Sequence, residues 1–428
     1  MADLRRPGPV LVLADPVRMR RDGVDLKAHV VSLLAGADAR TSGDALGVPA
    51  KAAPTCTVEE ARNALAGAGC VVVSVGSGDP GPRWHLGKKA TEGAGDVPPI
   101  PYVVVQTACS VNAFSDDMAV LLLHGAKRTL PSRWPDALVI DLGVIADAPP
   151  DLNQAGVGEL TSMFTGPCDW RLADLAGLDP GYDDAVVGLF RDGGEELERV
   201  AAGVAAGDHG ALAWLCERMT LSGLALGVAG RTAPISGAEH AVSHLLDMAA
   251  IRTGRATGYH GAQVGVASVV VAALWEDLLE GIEPGRLLDP PSDPEDARAS
   301  GSALWRVRPV RRDGRECWRL YQRRKRCAWA AGRAAQGGAG GRLGRACLTR
   351  LTEGLRPPTR SWPRCGPPAP RHVRRPGRGC GHRPLGRGRR PPPARPSGFL
   401  DLADLAGRWG PADVDRVLER AAAVGGGL

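Results

Sequence analysis

The sequence predicts an α/β domain built on a parallel, helix-covered sheet, followed by an all-helical domain. Three observations carry this. Short apolar runs of strand length recur at Val10–Ala14, Cys70–Val75, Tyr102–Gln106 and Ala137–Leu142. Such unbroken runs read as strands buried on both faces, the habit of parallel sheets. Helical patterns separate them, which is the rhythm of strand–helix–strand units. After Pro149-Pro150 the strand signals cease and only helical patterns follow.

In order, Val10–Ala14 is the first strand, and Asp15 stands at its end. An acidic residue there can accept from an adenosine ribose and disfavour a 2′-phosphate; an ordinary strand-end aspartate is the plainer reading. Val24–Leu34 reads as a helix. Thr57–Ala66 is another, with Thr57 as N-cap and Glu60 at the capping-box spacing. Cys70–Val75 runs into Gly76-Ser77-Gly78, where glycine lets backbone approach a pyrophosphate near a helix N-terminus. Asp79-Pro80-Gly81-Pro82 cannot begin a well-formed helix, so helical pattern resumes only at Leu86-Gly87-Lys88-Lys89. Tyr102–Gln106 is the third strand and Ala137–Leu142, with Asp141 at its end, the fourth. Leu152–Phe164, Asp184–Val204, Ala211–Ala229, Ala238–Ile251 and Ala262–Leu279 read as helices. The expected division is an α/β domain at 1–150, a helical domain at 151–300, an irregular segment at 301–396, and C-terminal helices at 397–428.

The chemistry concentrates in Pro234–Gly265, which holds His240, His244 and His260. His240 and His244 are four residues apart, so a helix places both imidazoles on one face. His260 follows a turn-like run with Gly254 and Gly258. Two imidazoles from consecutive helices supply half of a metal's protein ligands, and a carboxylate from elsewhere would leave a catalytic site with an open position. The plainer alternative is two helix-surface histidines and a third at a helix start.

Together Ala155-Gly156-Val157-Gly158-Glu159-Leu160, Asp169-Trp170, the SGAEHAVSH run ending at His244, and His260-Gly261-Ala262-Gln263-Val264-Gly265 resemble the sn-glycerol-1-phosphate dehydrogenase family. That family belongs to the iron-containing alcohol dehydrogenase and 3-dehydroquinate synthase superfamily. The likeness covers roughly residues 8–290, with a short return near 398–428. It implies a dehydroquinate synthase-like fold, NAD or NADP as cofactor, and a divalent ion (Zn, Ni or Fe) on Glu159, His240 and His260. It implies cofactor contacts at Asp15, Gly76, Ser77, Gly78, Thr107 and Ser110, and substrate contact at Asn112. His244 is the implied proton carrier, with a packing or ligand-supporting role as the alternative. The implied reaction reduces dihydroxyacetone phosphate, or a similar small phosphorylated or polyol carbonyl. A 3-dehydroquinate synthase-like lyase using NAD and a metal is one alternative. An inactive remnant or an Arg-rich binding protein is the other.

The chain departs from the family's pattern at several positions. Relatives carry Asp where Glu159 stands, and Lys where Met163 stands. Gln106, Asn112 and Ala113 replace Pro, Asp and Gly. Asn112 keeps a hydrogen-bonding group and loses the charge. Gly125-Ala126-Lys127-Arg128-Thr129 offers cations for a substrate phosphate, or simply a solvated loop.

At 428 residues and 44% apolar content the chain has room for two domains. Aromatics are 4%, so the cores must be mostly Ala, Val and Leu. Val10–Ala14 is too short for a signal-peptide core. Ala262–Trp275 falls short of the roughly 18–20 residues a membrane span needs. The ten cysteines show no C-x-x-C pair and read as free thiols. A cytoplasmic homo-oligomer, dimer or larger, with a small phosphorylated substrate, no membrane and no nucleic-acid partner is expected.

The net charge of +6 hides an asymmetry. Residues 301–396 hold 26 Lys+Arg against 3 Asp+Glu, a surplus of 23 that leaves −17 on the rest. This block is crowded with Arg, Pro and Gly and breaks every pattern above. It reads as a shifted reading frame in a GC-rich gene, as a disordered linker, or as a nucleic-acid-binding insert. Asp79–His85 has the same character. Gly398–Leu405 opens an acidic amphipathic stretch again.

Overall fold

A computed structural model describes residues 10–14, 20–21, 24–25, 71–76, 85, 88–89, 91–92, 99–123, 126–175, 179, 181–191, 196–281 and 411–423. Asp15, Ser77, Gly78, the helix expected at Thr57–Ala66, and the basic block 301–396 lie outside them.

Four strands form one sheet: β1 (Val10–Ala14), β4 (Val71–Gly76), β5 (Tyr102–Gln106) and β8 (Ala137–Ile140), in the order β1-β4-β5-β8. All three pairings are parallel. The expected parallel sheet is therefore present, and each strand sits on its apolar run. Register places Val75 beside Ala14, Gly76 beside Gln106, and Gln106 beside Ile140. The carboxyl ends of the strands thus align, with the glycine that opens Gly76-Ser77-Gly78 next to the segment starting at Thr107. Ligands of open α/β sheets bind at this edge. The side chains of β5 are all buried.

Two short antiparallel pairs accompany the sheet. β2 (Arg20–Arg21) pairs with β3 (Val24–Asp25). This corrects the helix expected at Val24–Leu34 at its first two residues; the remainder lies outside the described residues. Asp22-Gly23 between the paired residues is the strongest two-residue hairpin signal, and it outweighs the helical pattern that follows. β6 (Met118–Leu123) pairs with β7 (Ala126–Pro131) along their full length. The loop expected to present Lys127 and Arg128 is thus a strand.

The helical part opens with α1 (Leu142–Ala146). Asp141 is its N-cap, accepting from Gly143 N at 2.8 Å and Val144 N at 3.2 Å. The fourth strand accordingly stops at Ile140 rather than Leu142. α2 (Pro150–Leu160) begins with proline at its first position, where a missing N–H costs nothing. It passes into a 3₁₀ turn at Thr161–Phe164, so the helix expected at Leu152–Phe164 has two geometries. α3 (Gly166–Leu175) was not anticipated. The single helix expected at Asp184–Val204 is two, α4 (Asp184–Arg191) and α5 (Glu196–Ala205). Gly193-Gly194 lies between them, and each glycine weakens a helix interior by roughly 1 kcal/mol. α6 (His209–Ala229), α7 (Ala238–Thr253) and α8 (His260–Gly281) extend the expected helices by a residue or more at an end. Gly254, left-handed with φ 67°, terminates α7. α9 (Pro411–Ala423) lies against α8. Arg416 clamps the buried Asp277 of α8 with two bonds of 2.5 and 2.9 Å.

The core joins α1–α6 through Leu160, Met163, Trp170, Phe190, Leu212 and Leu215. Burial of each large apolar side chain contributes roughly 1.5–3 kcal/mol. Trp170 also meets Tyr182 with ring centroids 5.1 Å apart. α6 and α8 are long and apolar enough, by length and composition, to cross a membrane. α8 outruns the stretch expected at Ala262–Trp275, yet 72% of its apolar window is buried inside the protein. It is the central helix of the fold, packed on α2, α7 and α9.

Candidate metal centre

α2, α7 and α8 each bring one side chain to a common point. Glu159 is the penultimate residue of α2, His240 the third of α7, and His260 the first of α8. One ligand atom from each lies within 4.8 Å of the others. His240 Nε2 is 3.4 Å from Glu159 Oε1, and His260 Nε2 is 3.6 Å from Glu159 Oε2. The two rings stand 5.2 Å apart at 67°. Glu159 is 2% exposed and its Oε2 has no hydrogen-bond partner. A buried carboxylate oxygen left unpaired is costly, and a cation between these atoms would satisfy it. Two imidazole nitrogens and a carboxylate are a donor set suited to a divalent transition metal.

Close approach of α8 to α2 makes the convergence possible. A Cβ on Gly261 would stand 2.0 Å from the carbonyl oxygen of Ala155 and 3.0 Å from that of Ser110. Only glycine fits beside His260.

Each ring is oriented through its far nitrogen. His240 Nδ1 is 3.0 Å from Glu239 Oε1. Glu239, fully buried, also accepts from Gly237 N at 2.6 Å and Thr165 Oγ1 at 2.9 Å. Asp169 of α3 accepts from Ala238 N at 2.7 Å and so caps α7. His260 Nδ1 is 2.7 Å from Ser243 Oγ. Partners on Nδ1 leave Nε2 of both rings for the common point.

The electrostatics divide the two histidines. Burial opposes charge on His240, but Glu159 and Glu239 together outweigh it, and its pKa is raised to about 9. His260 is pushed well below the ordinary value, first by burial and then by charge on His240, Lys127 and its neighbours. In the metal-free protein a proton on His240 thus holds the place of a cation between two carboxylates.

The other expected residues fall around this point unequally. His244 does not converge with the three; it is half-buried and stacks on His260, centroids 5.5 Å apart at 25°. Thr107, Ser110 and Asn112 are buried on the segment leaving β5. Thr107 Oγ1 and Asn112 Nδ2 have no hydrogen-bond partner among the described residues. Asn153 of α2 holds this segment by accepting from Cys109 N at 2.9 Å. Gly76 ends β4 beside it. Lys127 is bound to Asp247 of α7 by a short ion pair. A lysine already held by a carboxylate is a weaker phosphate ligand than the expected loop suggested. Met163 is fully buried in the apolar core.

Sequence reasoning missed Glu239, Ser243, Gln263, Asp247, Lys88 and His85. Lys88, fully buried, binds Asp116 Oδ1 at 2.5 Å and the carbonyls of Ala113 and Asp116, pinning the turn before β6. His85 accepts from Val120 N at 3.1 Å, and burial followed by Lys88 and Lys127 drives its pKa well down. Glu239, Ser243 and Gln263 did lie inside the quoted motifs, and nearness to the histidines was their one signal.

The chain is similar to known proteins over part of its length. The iron-containing alcohol dehydrogenase family model matches residues 24–149. The glycerol-1-phosphate dehydrogenase [NAD(P)+] of Bacillus licheniformis is 32% identical over 180 residues, 42% of this chain and 45% of that one. The Methanothrix thermoacetophila enzyme of the same name is 31% identical over 188 residues, 43% and 52% of the two chains. That of Aeropyrum pernix is 32% identical over 219 residues, 51% and 59%. The chain spans about half the length of the curated relatives it matches. The chain is thus similar to the iron-containing alcohol dehydrogenase family over residues 24–149, and to the glycerol-1-phosphate dehydrogenases over about half of their length.

Proposed function

We propose that this chain is a metal-dependent, NAD(P)-linked oxidoreductase that interconverts a small carbonyl and its alcohol, with dihydroxyacetone phosphate and sn-glycerol 1-phosphate as the pair. The observation that carries the reading is the meeting of Glu159, His240 and His260, with Glu159 Oε2 buried and unpaired. A divalent ion held there supplies Lewis acidity toward a carbonyl or alkoxide oxygen, and the nicotinamide supplies the hydride.

The chain's own residues do the rest. Glu239 and Ser243 hold the two rings with Nε2 toward Glu159. Burial of Glu159 and His240 excludes bulk water, which strengthens every charge interaction at the point. Thr107 and Asn112 offer buried polar atoms on the sheet side, supporting the roles proposed for them toward nicotinamide and substrate. Gly76 supports a pyrophosphate turn at the carboxyl edge of the sheet. His244, half-buried beside His260, is proposed to pass the proton between the reacting oxygen and solvent through an imidazole nitrogen.

Metal content of the full chain after loading with Zn, Ni or Fe, measured beside NADH and NADPH oxidation, tests the reading. One ion per chain and turnover of dihydroxyacetone phosphate are expected. No bound metal would sink the site; bound metal without turnover of that substrate would sink the substrate.

A further inference from the structure

Behind His260 runs a line of hydrogen bonds whose every direction is forced. Lys127 Nζ of β7 can only donate, and it meets Asp247 Oδ2. The Asp247 carboxylate can only accept, so Oδ1, 3.0 Å from Gln263 Nε2, takes a proton from that amide nitrogen. Gln263 is thereby turned with Oε1 toward Ser243, 2.7 Å away. A carbonyl oxygen accepts, so the single hydroxyl proton of Ser243 is spent on Gln263. Ser243 Oγ must then accept from His260 Nδ1 at 2.7 Å. Nδ1 carries the ring proton, and the lone pair stands on Nε2, facing Glu159.

We propose that Asp247, Gln263 and Ser243 are positioning residues that set the tautomer of His260, with the choice made by the carboxylate of Asp247, three links from the ring. The proposal rests on the reading of His260 as a metal ligand. Asp247 and Ser243 are buried, one helical turn apart on α7, and Gln263 lies one turn into α8. Burial of Ser243 and Asp247 shields those two links from water, while Gln263 is half-buried.

The line predicts a non-additive outcome. Asp247→Asn is nearly isosteric, but its oxygen stays with Lys127 and its NH2 turns to Gln263. The Gln263 amide then rotates to accept, offers N–H to Ser243, and drives the hydroxyl proton onto His260 Nδ1. The ring proton moves to Nε2, where a metal must displace it. Ser243→Ala merely removes the preference. In the double variant the wrong instruction no longer reaches the ring.

The experiment uses the full chain and Co(II) as the probe, followed by its visible absorption, with imidazole nitrogen shifts of 15N-histidine-labelled, metal-free protein read separately. Asp247→Asn should weaken Co(II) binding by about 10- to 100-fold, the range for lost outer partners of metal ligands. It should also give His260 the Nε2–H nitrogen pattern. Ser243→Ala should cost less and give a mixed pattern. Asp247→Asn with Ser243→Ala should bind Co(II) better than Asp247→Asn alone. Losses that simply add, or an unchanged Nδ1–H pattern in Asp247→Asn, would overturn the proposal. Should Asp247→Asn fail to fold, Ser243→Ala decides alone: a pure Nδ1–H pattern there refutes the line. Failure of the unsubstituted chain to bind Co(II) would instead sink the metal reading, and the nitrogen shifts would still decide the tautomer.

Discussion

Binding of the metal must compete with the proton on His240, and pH measures that competition. In the metal-free protein His240 lies 3.4 Å from Glu159 and 3.0 Å from Glu239, and its pKa is raised to about 9 against an ordinary 6.5. A metal needs the lone pair of Nε2, so it must expel the proton. At pH 7, two pH units below 9, expulsion weakens apparent affinity about a hundredfold, or about 3 kcal/mol at roughly 1.4 kcal/mol per unit. His260 is held neutral and adds no such cost. Apparent Co(II) affinity should therefore rise about tenfold per pH unit between pH 7 and 8.5 and level off above 9, with one proton released per ion from this site. The folded pKa lies above the unfolded one. The stabilisation from charged His240 is thus full below pH 6.5 and is lost as pH rises through 9. The melting temperature of the metal-free protein should fall across that window, and that of the loaded protein should not. Glu239→Gln keeps an acceptor for Nδ1 and removes a charge, so the bend should move to lower pH. Co(II) titration in weakly buffered solution with a pH indicator reads both quantities. Affinity that stays flat from pH 7 to 9, or binding with no proton release, would refute the assignment of that proton.

Two further outcomes follow from the structure and one, for Asp15, from the sequence alone. His240→Ala should abolish bound metal, measured by elemental analysis, while near-ultraviolet and far-ultraviolet dichroism stay native; full metal occupancy would remove His240 from the site. Asp15 should make NADH preferred over NADPH, because a carboxylate accepts from the ribose 2′-OH and repels a phosphate; equal kcat/KM for both cofactors would show that Asp15 has no such role. Gly261→Ala sets a methyl 2.0 Å from the Ala155 carbonyl oxygen. It should lower stability by about 1–3 kcal/mol and weaken metal binding with it, read by thermal melts with and without Co(II).

Strands and candidate ligands were legible in the sequence for different reasons. Val71–Gly76 and Tyr102–Gln106 are rich in valine with one polar residue each, and runs so short and so apolar read as buried strands. His240 was legible from the spacing of the histidines in Pro234–Gly265, and Glu159 only through the resemblance of its motif to the glycerol-1-phosphate dehydrogenase family. The β6–β7 hairpin was not anticipated, although Met118–Leu123 is a short apolar run like the others; Lys127 and Arg128 give the return strand the look of a solvated loop. The break between α4 and α5 was written in Gly193-Gly194 and overruled by the strong apolar period on either side. Ser243 and Gln263 lie inside the histidine motifs, but nothing along the chain links them to each other or to Asp247. Their roles exist only when α7 and α8 lie side by side. The i, i+4 spacing of His240 and His244 does bring their rings within 6.4 Å, while His240 meets His260 and Glu159 and His244 stacks outside the three.

The candidate centre has no support of its own apart from the helix packing. Glu159 is placed by α2, His240 by α7 and His260 by α8, and α8 reaches α2 only because Gly261 lacks a side chain. The three helix termini must accommodate the length of the Glu159 side chain. They do so with atoms 3.4 and 3.6 Å apart, wider than hydrogen bonds to a carboxylate usually are and close to the separation expected of two donors about 2 Å from one ion. The Nδ1 partners Glu239 and Ser243 come from α7 itself. α7 is in turn capped by Asp169 of α3 and tied to β7 through Asp247 and Lys127. Movement of the β6–β7 hairpin therefore bears on α7, and through α7 on both histidines. The metal site and the contact between hairpin and helices are parts of one mechanical unit, and what loosens the contact should loosen the site.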